Sequence, residues 1–295
     1  ADIARKVRDF ESIMLRERSG VEQLSRHSSV NTAHVIDPVG LIDVEEFKKI
    51  AKNLQLVQQN KIEDYSLLVN VIKAHTPDRV TFDLFDRVNR GGTKINNQEM
   101  RNALFQGTST LLIKNLAQTA CFIEATEHAA TAKRMVDRTY VLRFLAFYLW
   151  RENISKDMEY GIPLEYKSNL DDFLGKTMEF LNTYDIEDPL IVSLKNSFLS
   201  AMEVASRNIV KIGGFRLPAK EGNYRRRLNV AFFDSFSYLL AKTELTSSQF
   251  VEVYNDLIND NDYINAISYS VDSTQQVNKR FAIIEEYIKK YNPNT

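Results

Sequence analysis

From about residue 108 to the end of the chain, apolar residues recur every three or four positions, which is the spacing of a helix face. One face of the final segment, "QQVNKRFAIIEEYIKKY", carries four of them: Val277, Phe281, Ile284 and Ile288. Only ten glycines and six prolines interrupt the 295 residues, whereas a β-sandwich or barrel needs frequent turns. We therefore expect a bundle of about seven helices over residues 108–295.

Global charge gives no indication of a partner. Lys and Arg number 38 against 39 Asp and Glu, so the formal net charge is −1. A nucleic-acid site must then be a local basic patch. The single cysteine, Cys121, excludes an internal disulfide and a cysteine-based zinc cluster. Its apolar helical context predicts a buried, inert thiol, and we expect no bound metal.

The sequence predicts a cytoplasmic protein without a membrane partner. Its opening residues, "ADIARKVRDFES", are charged, unlike the apolar centre of a signal peptide. The longest strongly apolar run, "FLAFYLW", is far shorter than the ~20 residues that a membrane helix needs. Cysteine usage fits a reducing compartment.

The front of the chain mixes element types. Residues 65–74, "YSLLVNVIKA", have the β-branched and aromatic content of a buried strand. Asp43 begins one capped helix and Thr76 another, which Gly91 ends. The predicted fold class is thus α+β, predominantly α, with a small α+β portion at residues 1–107 and a helical domain at residues 108–295.

The segment "FDRVNRGGTKINNQEMRNALF" is typical of a phosphate-binding loop followed by a helix. A helix that begins at Asn96 presents free backbone N–H groups and a positive dipole end to an anion. Glycines let a loop approach a ligand closely, and arginine offers two parallel donors to a phosphate. The candidate nucleotide or phosphate ligands are Arg87, Asn89, Gly91, Gly92, Thr93, Asn96, Gln98, Glu99 and Arg101.

A purely structural interpretation of the same segment is equally open. In it, Asn96 and Glu99 form a capping box that starts the helix, and Arg87 pairs with Glu99 or Asp86. The segment would then be a self-contained helix–loop–helix corner. Glu99 is the residue that capping accounts for most completely.

A second candidate site is a basic stretch at residues 207–227. Phe215 and Tyr224 are interleaved with its cations, and this pattern suits a phosphate backbone with stacked bases. The alternative is a solvated connection between helices. The candidate DNA contacts are Arg207, Lys211, Arg216, Lys220, Arg225, Arg226 and Arg227.

Two further segments receive structural interpretations. Arg143 lies on a nearly all-apolar helix beside Phe144 and Phe147, so we expect it to pair with a buried carboxylate and to order the bundle. The acidic, mixed stretch "KDMEYGIPLEYKSNLDDF" is expected to be a solvated connection.

The glycine-containing segment also resembles a known signature. It is similar to F-x-R-[LV]-N-x-G-G-x-x-[LI]-x-x-x-E-x-R-N-A of the GmrSD-like restriction family, and the similarity extends over most of residues 56–240. The residues in register are Phe85, Arg87, Val88, Asn89, Gly91, Gly92, Ile95, Glu99, Arg101, Asn102 and Ala103.

The resemblance implies a partial ParB/sulfiredoxin-like portion followed by a helical bundle. It also implies a prokaryotic anti-phage protein that binds DNA, including modified phage DNA, or a nucleotide and couples this to restriction. A nucleoside triphosphate with Mg would be the implied cofactor. The implied partners are DNA and a second defence protein or another copy of the chain.

Two family features are absent from the sequence, so whether the protein is an enzyme stays open. The Asp-Gly-Gln-Gln-Arg motif is not present. Only Val35, Ile36 and Asp37 faintly resemble the family's sequence there, and Pro38 follows where glycine is expected. The His-Asn-His nuclease domain is missing too. One alternative is a non-catalytic scaffold or interaction subunit. Another is an NTP hydrolase or nuclease subunit whose catalytic motif lies outside an incomplete sequence.

Overall fold

In the computed structural model, the described residues are 95–154, 164–219 and 227–292. The predicted strand at 65–74 and the predicted helices that begin at Asp43 and Thr76 lie outside these ranges. The chain divides into two compact units, residues 1–104 and 105–295, and each unit is described by itself. The described part of the first unit is one helix, α1, at Asn97–Leu104.

The described part of the second unit is helical, with no strand in it. Its elements are α2 (Thr108–Ala117), α3 (Ala120–Ala125), a 3₁₀ turn (Lys133–Met135), α4 (Val136–Arg151), α5 (Leu170–Leu181), α6 (Pro189–Ile212), α7 (Val230–Lys242), α8 (Ser247–Asn259), α9 (Asn261–Ser268) and α10 (Thr274–Tyr291). The prediction of a predominantly α protein is confirmed. The ParB-like portion remains a prediction.

Polar side chains mark most helix starts. Asn169, Asp188 and Asn229 each accept a hydrogen bond from a backbone N–H in the first turn of α5, α6 and α7. Thr246 begins α8 with a capping box, and Pro189 occupies the first position of α6, where its missing N–H costs nothing. These local signals explain why the helices begin where they do.

Helix α4 lies at the centre of the bundle. Its residues 140–147 are all buried, and it contacts α2, α5 and α7. The Phe147 ring lies 5.3 Å from Phe173 of α5 and 5.2 Å from Phe281 of α10, measured between ring centroids. The predicted apolar face of α10 is confirmed, because all four of its residues are buried. Aromatic packing thus joins α4 to α5 and to the last helix, α10.

The prediction for Arg143 is also confirmed, because it pairs with a buried carboxylate, Asp234 of α7. Arg143 donates from Nε to Asp234 Oδ1 at 2.9 Å and from Nη2 to Oδ2 at 2.6 Å. Arg280 of α10, which is 0% exposed, donates from Nη2 to the same Oδ2 at 3.2 Å. We call Arg143, Asp234 and Arg280 the buried ion cluster. It links α4, α7 and α10 through one carboxylate.

The expectation of a solvated connection before α5 is wrong for the part that is described. Leu164 and Tyr166 are buried, and Tyr166 donates its hydroxyl to the Asp272 carbonyl at 2.6 Å. Ser168 accepts from the Thr274 N–H at 2.7 Å. Hydrogen bonds therefore connect the segment to the start of α10. Leu164 and Tyr166 enter the core, although charged residues alternate with them in the sequence.

Replacing Asp234 by Asn removes the one carboxylate that the two buried arginines share. We expect a loss of about 3–5 kcal/mol in the free energy of unfolding, or no folded state, because two buried cations are left uncompensated. Urea denaturation measures it. The control is Asp262→Asn, which breaks an exposed pair with Lys279 (2.7 Å) and should cost less than about 1 kcal/mol. Equal losses for the two variants would contradict a structural role for the cluster.

Alkaline stability should depend on Tyr140. Burial raises the pKa of its hydroxyl to about 12, and the Asp234 carboxylate acts in the same direction. An unfolded tyrosine ionises near pH ~10. The contribution of Tyr140 to the free energy of unfolding is therefore fully present below pH ~10 and is lost as the pH rises towards about 12. Tyr140→Phe should make this fall shallower in urea denaturation between pH 8 and pH ~11. Tyr269→Phe, at a site that is 69% exposed, should leave the slope unchanged.

Candidate nucleic-acid interface

Part of the predicted phosphate site lies in the described chain. Arg87, Asn89, Gly91, Gly92 and Thr93 lie outside the described residues. The structure places the remaining four together, at the start of α1: Asn96, Gln98, Glu99 and Arg101.

The capping box predicted for Asn96 and Glu99 is confirmed. Asn96 Oδ1 accepts from the backbone N–H groups of Gln98 and Glu99, both at 2.9 Å. Glu99 Oε2 accepts from the Asn96 N–H at 2.8 Å. The expectation that these N–H groups are free for an anion is therefore wrong, because the protein's own side chains accept from them. Any ligand at this helix must be recognised by other groups.

Gln98 and Arg101 form such a group of side-chain donors. Each is 3% exposed, although both residue types are normally at the surface. Gln98 Oε1 accepts from Arg101 Nε at 3.2 Å and from Nη2 at 3.0 Å. This fixes the guanidinium plane and turns the Gln98 amide nitrogen away from it. Gln98 Nε2 is buried and has no hydrogen-bond partner in the structure.

The basic stretch at 207–227 is only partly described, and its described members differ. Arg207 is exposed and lies 3.4 Å from Glu203 one helical turn earlier. Arg216 is half-buried and forms an ion pair with Glu127. Arg227 is exposed. Lys211 lies in α6, but its side chain is outside the described part. The remaining members lie wholly outside the described residues: Lys220, Arg225 and Arg226.

The prediction that Phe215 stacks on bases is wrong. Its side chain is 2% exposed, and its ring lies 4.8 Å from Phe233 of α7 in an edge-to-face contact. Gly213 and Gly214 precede it with φ of 64° and 70°, in the left-handed region that glycine adopts without strain. The two glycines turn the chain back towards the core, so Phe215 ends inside.

The polar lining of one surface depression in the second unit also has structural partners. This depression is shallow and open to solvent, and it is lined by Ser168, Ser270, Val271, Asp272 and Ser273. Polar groups of its lining already have hydrogen-bond partners within the protein. Ser168 Oγ accepts from the Thr274 N–H at the start of α10, and the Val271 carbonyl accepts from Arg280. No group of three metal-binding side chains is brought together within the described ranges.

The expected burial of Cys121 is only partly met. Its side chain is half-buried, with Sγ 3.6 Å from Thr119 Oγ1. It lies in the first turn of α3, and Thr119, whose extended backbone caps α3, separates this helix from α2. A short polar break therefore exposes a position that periodicity places in the core.

Sequence inspection missed two members of the buried ion cluster, Asp234 and Arg280. The available signal was a lone acid in the apolar run "VAFFDSFSYLL" and a base, Arg280, directly before Phe281 of the apolar face in "VNKRFAII". A single charge on an otherwise apolar face requires a buried partner of opposite sign. Arg143, Asp234 and Arg280 could have been grouped by that argument, although not paired.

Phe215→Ala should destabilise the second unit by about 3–5 kcal/mol, because it leaves a cavity beside Phe233. The matched control is Tyr269→Ala, which removes an exposed ring and should change stability by no more than ~0.5 kcal/mol. Chemical denaturation of both variants measures the difference. A Phe215→Ala protein as stable as the control would contradict its place in the core.

None of the described helices combines the length and apolar character needed to cross a bilayer. No protein-family model matches the chain, and no curated protein or solved structure gives a significant match. The resemblance to the GmrSD-like family therefore stands on the residues that carry it.

Proposed function

We propose that this chain is a restriction-type anti-phage protein that binds a nucleotide or DNA through the segment that ends in α1 and couples binding to restriction. The resemblance over Phe85 to Ala103 supports the biological role. The observation that carries the binding proposal is the buried Gln98–Arg101 pair, with its unpartnered amide nitrogen.

An unpartnered buried donor is costly. Leaving a buried N–H without an acceptor costs about 1–3 kcal/mol, and such groups are few in native structures. A phosphate oxygen or a base carbonyl oxygen supplies the missing acceptor. Arg101 lies beside Gln98 with a fixed guanidinium plane, so an anionic ligand is favoured over a neutral one.

Magnesium enters this proposal only together with a nucleoside triphosphate. The described side chains at the start of α1 are mainly donors, which suit phosphate and not a cation. Glu99 is the one carboxylate, and it accepts the Asn96 N–H. We therefore assign phosphate binding to Gln98 and Arg101 and assign no metal ligand. Hydrolysis is not part of the proposal.

A scaffold or interaction subunit is the second candidate. The capping box favours it, because two N–H groups expected to bind an anion already have acceptors within the helix. The ion pair of Arg216 with Glu127 favours it in the same way. In a scaffold, the Gln98–Arg101 pair serves only to order the start of α1.

Gln98→Glu separates the two functions. A carboxylate at this position still accepts from Arg101, and more strongly, so the fold should be kept. It replaces the unpartnered N–H donor by an acceptor and adds a negative charge, so binding of an anionic ligand should weaken at least about tenfold. Calorimetric titration with ATP and GTP, and fluorescence anisotropy with a labelled DNA duplex, measure the effect.

The matched control is Gln249→Glu, which makes the same charge change in the first turn of α8. It should leave binding unchanged. Binding by the wild-type protein that survives Gln98→Glu would remove this site from the proposal. No binding of any of these probes by the wild-type protein would leave the scaffold function.

A further inference from the structure

We draw no further inference here: the strongest candidate, the buried ion cluster of Arg143, Asp234 and Arg280 next to the depression at the start of α10, carries nothing, because both arginines already donate to Asp234, the depression is shallow and open to solvent, and nothing in the described residues shows what would occupy it.

Discussion

The second unit depends on one carboxylate. Asp234 is 0% exposed and accepts hydrogen bonds from two arginines that are 137 positions apart in the sequence (280 − 143). Burial lowers the pKa of the Arg143 guanidinium, but the Asp234 carboxylate more than offsets this, so the net direction is upward. The cluster is a weak source of net stability, since two cations and an anion all lose water. Its value is specificity, because a different packing of α4, α7 and α10 would leave a buried charge unpaired.

The cluster also fixes the surface around it. Arg280 donates to the Val271 carbonyl, and Arg143 Nη2 lies 3.5 Å from Asp272, which is half-exposed. The Asp272 carbonyl in turn accepts the Tyr166 hydroxyl. A chain of contacts therefore runs from the core to the connection before α5 and to the start of α10. The bundle is an ordered platform, and this suits both binding and scaffolding.

Local features were predictable, while pairings between distant residues were not. The capping box at Asn96 and the apolar face of α10 follow from spacing within one helix, and Arg143 follows from a charge on an apolar face. Its partner could not be named, because Asp234 is 91 positions away (234 − 143) and nothing local distinguishes it from other acids. Phe215 was misplaced for a related reason. Its basic neighbours suggested a surface, whereas the left-handed backbone of Gly213 and Gly214 returns the chain to the core.

The candidate site contains two pairs of residues that differ in how far their own contacts explain them. Asn96 and Glu99 satisfy each other's backbone donors, so their presence in a phosphate-loop pattern is explained without a ligand. Gln98 and Arg101 are different, because a buried amide that gives its oxygen to an arginine and leaves its nitrogen unpartnered has no purpose in capping. An apolar side chain would fill the position at lower cost. The pair is therefore the described part of the segment for which a structural explanation is incomplete, and under the proposed function a ligand would supply the missing acceptor.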